Sequence, residues 1–365
     1  MRIAQIAPLY ESCPPKLYGG TERIVSYLTE ELVRQGHDVT LFASGDSETG
    51  GTLVPGAEMA LRLNPAVRDA IPYHVMMLDE VMRRADEFDV LHFHVDVLHF
   101  PLIRHFADRT VTTLHGRLDL PDLQPFYRAF PEVPLVSISD HQRRPMPDCV
   151  TWAGTVHHGL PRNLLPFSPT PKEGYLAFLG RISPEKRPDR AIEIAARTGR
   201  RLKIAAKIDK ADQAYWDEMI APLVEVHANV EYIGEITEHQ KAEFLGNASG
   251  LLFPIDWPEP FGLVMIEAMA CGTPVIAMPG GSVPEVIEDG VSGFIVGSVD
   301  AAVDAVRRLP DLDRLKVRAA FEARFTMERV ALDYVETYRS LPGVRRETTR
   351  LFAVEDEAMT LSAVA

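Results

Sequence analysis

Short apolar runs alternate with longer stretches of helical spacing almost from one end of this chain to the other, and that alternation leaves few architectures open. The first run, residues 2–7, reads as a buried strand. A loop with Pro14 and Pro15 follows, and Gly19-Gly20-Thr21-Glu22 then opens a helix in which Ile24, Leu28, Leu32 and Val33 keep helical spacing. Gly36 ends that helix, and residues 39–43 form the next strand. Strand, glycine turn, helix and strand in that order make a βαβ unit. The turn is not GxGxxG, so the dinucleotide fingerprint is absent. Further strands are expected at 90–93, 110–114 and 135–138, with helices at 73–85 and after Asp140. This succession predicts a parallel, doubly wound sheet, whose ligands sit at the C-terminal ends of the strands.

The pattern breaks between residues 160 and 174, where Pro161, Pro166, Pro169 and Pro171 crowd into a stretch without periodicity. Beyond it the alternation restarts, with strands at 175–179, 202–205, 230–233 and 250–253 and helices at 190–198, 215–226 and 241–247. A chain of 365 residues is long against the roughly 150 residues typical of one domain. Two parallel-sheet units are therefore expected, over 1–165 and 172–325, with a last helix at 326–341 and a tail over 342–365 that is polar, then apolar.

Net charge is −14. That argues against nucleic acid, which calls for a basic face, and to a lesser degree against an electrostatic grip on anionic lipid. Cys13, Cys149 and Cys271 are widely spaced, with no CxxC. Neither a disulfide framework nor a zinc site is indicated, and a reducing cytoplasm is the expected setting. Pro8 interrupts the N-terminus too early for a signal peptide. No apolar run reaches membrane-spanning length, which leaves peripheral membrane contact open.

Residues 259–274 carry the strongest chemical signal. Glu259 sits in a Pro-rich loop, a Gly262 turn follows, and the helix after it is apolar on every side except at Glu267. Helices apolar all round are buried, and a lone charge there is costly unless something binds it. Gly272 and Pro274 stop the helix, and 275–277 reads as a short buried strand. The helix N-terminus, with free N–H groups and partial positive charge, suits a phosphate. Two carboxylates beside an anion site suit a ligand with both hydroxyls and phosphates, such as a nucleotide-sugar. Arg181 and Lys186 follow the first strand of the second half. One offers a bidentate fork and the other a point charge for a departing diphosphate. With two cations and a helix terminus a metal is not required.

Four features in order carry a family resemblance: Gly19-Gly20 leading into a helix that ends Gly36-His37-Asp38-Val39; Gly180-Arg181 with Lys186; the E-x7-E pair Glu259 and Glu267 with its Pro-Phe-Gly and Ala-Cys-Gly-Thr-Pro-Val flanks; and Gly280-Gly281 followed by Pro284-Glu285. Together they resemble the retaining family-4 glycosyltransferases, the glycosyl transferases of group 1, over nearly the whole chain. The resemblance implies the GT-B fold, α/β, with two Rossmann-like domains facing across a cleft. The C-terminal domain would hold a nucleotide-sugar donor, the N-terminal domain the acceptor, and the last helix would cross back. It implies a hexosyltransferase-type reaction with retention and no metal or other cofactor, of the kind used in polysaccharide biosynthesis. A UDP-sugar is favoured over a GDP-sugar, and the acceptor (glycan, lipid or small molecule) stays open.

By the same resemblance Glu267 holds the ribose hydroxyls, and Glu259 contacts the sugar ring. The amides of Phe261, Gly262 and Leu263 face the sugar or β-phosphate, and Ile236 joins the donor site. Gly19 and Gly20 let the N-domain backbone approach the phosphates, and His115, after the strand 110–114, lies near the reacting sugar. One departure stands out. Family members often have Gly-x-Gly where this chain reads Ala205-Ala206-Lys207, which makes Lys207 either a further donor contact or an ordinary surface lysine. His92, His94, Asp96, His99 and His105 raise a metal site, but no Glu or Cys is spaced to complete it, and core histidines are the better reading. Rival functions are a GT-B nucleotide-sugar epimerase, which lacks this residue set; a glycan phosphorylase, which needs a cofactor lysine; and an exported two-lobed sugar-binding protein, which should carry a signal peptide.

Overall fold

The computed structural model describes residues 1–16 and 19–344; the tail from residue 345 lies outside the described residues. Two parallel sheets form the frame. The first contains β1 (Arg2–Ile6), β2 (Asp38–Ser44), β3 (Thr52–Ala57), β4 (Val90–Phe93), β5 (Thr110–Leu114), β6 (Pro134–Ser137) and β7 (Thr151–Thr155), in the order β3-β2-β1-β4-β5-β6-β7. The second contains β8 (Leu176–Arg181), β9 (Leu202–Lys207), β10 (Val230–Gly234), β11 (Gly250–Phe253), β12 (Val275–Ala277) and β13 (Gly293–Ile295), in the order β10-β9-β8-β11-β12-β13. Among the described residues all thirteen strands pair in parallel. Helices cover both faces, so the central strands are buried on both sides, and β1, β4 and β5 bury Gln5, His92 and three threonines among their apolar residues. This is the GT-B architecture.

The elements that sequence reading passed over lie at sheet edges or carry weak signals. β3 contains Pro55 and Gly56, and β7 contains Gly154; both are edge strands, where such residues are tolerated. The helix expected after Asp140 is a single 3₁₀ turn, His141–Arg143, followed closely by Pro145 and Pro147, which remove backbone donors. The helix expected at 215–226 is interrupted by a π turn, Trp216–Ile220, just ahead of Pro222.

In both sheets the strand order reverses at the first strand of the domain, between β1 and β4 and between β8 and β11. Ligands of open α/β sheets bind outside the carboxyl ends of the strands at that reversal. The loops at the two reversals face each other.

Two chain crossings join the domains and are tied together. Leu160 donates its N–H to Phe325 O at 2.9 Å, and Met327 donates to Leu160 O at 2.9 Å. The helix beyond, Met327–Ser340, packs Val330, Tyr334 and Tyr338 against Ile3, Leu28, Leu32 and Val136 of the N-terminal domain. A third tie is electrostatic. The backbone N–H groups of Asp140 and His141 each donate to the Glu285 carboxylate at 2.8 Å, and His157 Nε2 donates to it at 3.1 Å. Burial raises the Glu285 pKa, but these donors outweigh it and the value is lowered. A lowered carboxylate pKa contributes stability above the ordinary glutamate range, and that stability is lost as pH falls through the lowered folded value. Glu285→Gln should therefore cost about 1–3 kcal/mol at neutral pH. In thermal melts its gap from the parent protein should narrow as pH drops below about 4; a gap independent of pH would refute the assignment.

Candidate active site

Between the two switch points lies a cleft of about 750 Å³. Each residue that the sequence offered for a donor site lines it: Gly19, Gly20 and His115 from the N-terminal domain, and Arg181, Lys186, Lys207, Ile236, Glu259, Phe261, Gly262, Leu263 and Glu267 from the C-terminal domain.

Gly19 and Gly20 begin α1 (Gly20–Arg34) directly after the β1 loop. A Cβ on Gly19 would meet Pro15 Cβ at 2.9 Å, whereas one on Gly20 would meet nothing within 4 Å. Gly19 is thus demanded by packing, and Gly20 leaves open space at the cleft. His115 follows β5 and is half-buried, and the loss of solvent pulls its imidazole down to about 3; it is neutral at physiological pH.

On the opposite wall β8 runs into Arg181 and Lys186, ahead of α2 (Pro188–Thr198). Lys186 ion-pairs with Glu259, whose Oε2 also accepts the Trp257 indole N–H at 2.9 Å. The Lys186 ammonium lies 5.0 Å over the Trp257 ring and 5.6 Å over Phe253. Arg181 pairs with Glu185 at 3.2 Å and with Asp209 at 3.6 Å, and Lys207, the last residue of β9, pairs with Asp209 at 2.9 Å. Cations and carboxylates here hold one another in place, within reach of a ligand that carries both charges and hydroxyls.

The Glu259 loop is clamped from behind. Gly281, at φ +60°, lies so close that a Cβ would stand 2.0 Å from Glu259 O, while Ser282 donates its N–H to Glu259 O at 2.9 Å and its hydroxyl to Phe261 O at 2.7 Å. This gives the Gly280-Gly281 motif its physical purpose. Gly262, in the left-handed region at φ +76°, turns the chain into α4 (Leu263–Ala270), which follows α3 (Glu238–Gly246). The N-terminus of α4 opens toward the cleft.

Glu267 is only 4% exposed. Its charge is answered by a residue that sequence reading missed. Lys241 on α3 pairs with Glu267 at 2.6 Å and with Glu238 at 3.1 Å, and Glu238 pairs with Arg23 of the N-terminal domain at 2.6 Å. Burial pulls the Lys241 ammonium down, but Glu267 and Glu238 outweigh it and its pKa is raised. A chain of four charges thus runs from α1 across the domain boundary to the helix carboxylate. Trp257 and His158 are further lining residues missed from sequence, since nothing local foretells what they face.

Three of the four histidines weighed as metal ligands are engaged otherwise, and His105 is exposed. His92 contacts Tyr338 and Thr113, His94 contacts Gln5 and His115, and His99 contacts Thr112. Asp96, beside the cleft, takes φ +50°, an uncommon conformation for a residue with a side chain. Among the described residues no group of three or more His, Cys, Asp or Glu is placed to hold a metal ion, and no helix is long and apolar enough to cross a membrane.

Residues 166–324 match the glycosyl transferases group 1 family, and residues 18–141 match glycosyltransferase family 4. The chain is 26% identical over 361 residues to phosphatidyl-myo-inositol mannosyltransferase of Mycolicibacterium smegmatis, covering 89% of this chain and 88% of that protein. Its fold superposes on AviGT4, a glycosyltransferase involved in avilamycin A biosynthesis, with a TM-score of 0.72 at 24% identity, covering 94% of this chain and 99% of that one. It superposes on Anabaena HepE, solved in complex with UDP and glucose, with a TM-score of 0.71 at 19% identity, covering 93% of this chain and 100% of that one.

Proposed function

The chain belongs to the glycosyltransferases of group 1, and from that premise we propose that it moves a hexose from a nucleotide-sugar to a glycan, lipid or small-molecule acceptor, with retention of configuration and without a metal. One observation carries the reading. Two cations, two carboxylates and a helix N-terminus from one domain converge on a cleft whose other wall is a glycine turn and a neutral histidine. Arg181 and Lys186 take the charge that develops on the departing diphosphate, where preorganised groups need no reorganisation. The helix N-terminus at Phe261, Gly262 and Leu263 adds N–H groups. Glu267 accepts the ribose hydroxyls, Glu259 binds the sugar ring, and Gly19 and Gly20 admit the phosphates. Ile236 packs beside the donor. His115 lies against the reacting sugar. For retention, the departing phosphate oxygen takes the acceptor's proton on the face it leaves from. A UDP-sugar is favoured over a GDP-sugar, as the bound UDP of HepE suggests.

The test is a thermal-shift screen of UDP, GDP, ADP and their sugars, followed by assay of diphosphate release with EDTA present. A ligand at 100 times its dissociation constant stabilises by about 2.7 kcal/mol. If no nucleotide or nucleotide-sugar raises the melting temperature, the donor site is misassigned; release that stops in EDTA and returns with Mg²⁺ removes the metal-free claim.

Lys207 is a donor contact in the same proposal. If it meets phosphate, Lys207→Ala weakens nucleoside diphosphate itself; if it meets the sugar, only the nucleotide-sugar loses affinity. Either loss should be about 1.5–3 kcal/mol, roughly ten- to hundredfold. Calorimetric titrations that show neither loss would return Lys207 to the surface.

A further inference from the structure

Beneath His115 runs a chain of buried hydrogen bonds that the donor reading does not use. Gln5 on β1 stands at its middle. Gln5 Nε2 donates to the Tyr338 hydroxyl at 3.1 Å, and Gln5 Oε1 faces His94 Nε2 at 2.8 Å. His94 Nδ1 faces His115 Nε2 at 2.8 Å, and His115 Nδ1 faces His158 Nε2 at 3.4 Å. His158 Nδ1 is buried with no partner, though the residue lines the cleft.

Burial holds His94, His115 and His158 neutral. A neutral imidazole has one N–H and one bare nitrogen, so each link dictates the next. Gln5 Oε1 accepts, so His94 carries its proton on Nε2 and is bare at Nδ1. His115 Nε2–H must then donate to that nitrogen, which leaves His115 Nδ1 bare. His158 Nε2–H can donate there, and His158 Nδ1 ends the chain as a bare nitrogen. The other half agrees in sense. Tyr338 receives from Gln5 and donates to His92 Nδ1 at 2.7 Å, and His92 Nε2–H donates to Thr113 Oγ1 at 2.8 Å. Reversing every link would end the chain on a buried N–H without an acceptor, and orphaned N–H groups are rarer than under-used acceptors.

We propose that Gln5 and His94 are positioning residues that set the tautomer of His115, so that its Nδ1, held only by the 3.4 Å contact to His158, is the bare nitrogen it offers to a hydroxyl of the bound sugar. The proposal rests on the reading of the cleft as the donor site. Through His94 and Gln5 it ties that site to Tyr338 on the last helix.

The experiment is ¹⁵N NMR of the full chain with labelled histidine, assigned by single substitutions, which reads the protonated nitrogen of each ring. The expected result is that His94 and His115 both carry the proton on Nε2, and that Gln5→Leu lets the other tautomer appear in both. Gln5→Leu should also lower kcat about tenfold while its affinity for UDP stays within twofold, because Gln5 touches no part of the nucleotide. If Gln5→Leu does not fold, Tyr338→Phe, which removes only the hydroxyl at the far end, should still shift the tautomer populations. A proton on Nδ1 of His115 in the parent protein, or tautomers unmoved by both variants, overturns the proposal. The tautomer readings need no donor. Failure of UDP to bind would therefore strike the donor reading alone.

Discussion

Alanine at Arg181 or at Lys186 should lower kcat about 10²- to 10³-fold, the usual effect of losing one preorganised charge contact to a transition state. The melting temperature should hardly move. Arg181 is partly exposed, and its pairs with Glu185 and Asp209 are worth about 0–1 kcal/mol. Lys186 is more enclosed, but Glu259 keeps the Trp257 indole as a partner when the lysine is gone. Steady-state kinetics with the donor found in the thermal-shift screen, beside melts of both variants, decide the matter. Near-normal kinetics in both would remove these residues from the phosphate site. Losses of activity matched by losses of fold would make them structural.

The largest expected effect on stability lies away from the cleft, at Arg314. Its guanidinium is buried and donates to Ser168 O at 2.8 Å, Ala248 O at 2.9 Å, Gly246 O at 3.1 Å, Cys271 O at 3.3 Å and Thr273 Oγ1 at 2.8 Å. Burial lowers its pKa to about 10, so it stays charged at neutral pH. One side chain thereby satisfies carbonyls at the end of the interdomain stretch, after α3 and after α4. Arg314→Met would strip the Ser168, Gly246 and Ala248 carbonyls of this donor, each costing about 1–3 kcal/mol before water reaches some of them, while Cys271 O keeps the Ser168 N–H at 3.0 Å and the Thr273 hydroxyl still donates to Leu245 O at 2.7 Å. A net loss of about 3–5 kcal/mol follows, on the order of 10 °C in melting temperature. Thermal melts check it, and a shift of less than about 2 °C would show that water replaces the guanidinium without penalty.

Much of the cleft wall formed by the C-terminal domain is legible in the sequence because its signals are local. The E-x7-E pair, the glycine turn between its members, its flanking motifs and the Gly272–Pro274 stop fall within one loop and one helix, so together they point Glu259 and Glu267 at one cleft. Arg181 and Lys186 were found as residues that follow a strand. Lys241 was not, because it lies on a different helix from Glu267, twenty-six residues away in sequence, and its own neighbourhood reads as an ordinary polar helix face. His158 follows an edge strand that itself went unread. The helix expected after Asp140 failed for the opposite reason: the polar residues suggested a start, and the prolines behind them prevented continuation.

By itself the sequence determined that the chain makes two parallel α/β units, because periods of two and 3.6 residues are properties of neighbouring residues. It also determined which loops could carry chemistry, since strand ends are marked by glycine and charge. The tertiary structure alone decided who answers whom. Arg23 meets Glu238, Glu285 meets the amides of Asp140 and His141, and Gln5 meets both Tyr338 and His94. Those partners lie on separate strands, helices and domains. They come within 3 Å or so only once the strand order and the crossing of the last helix are set.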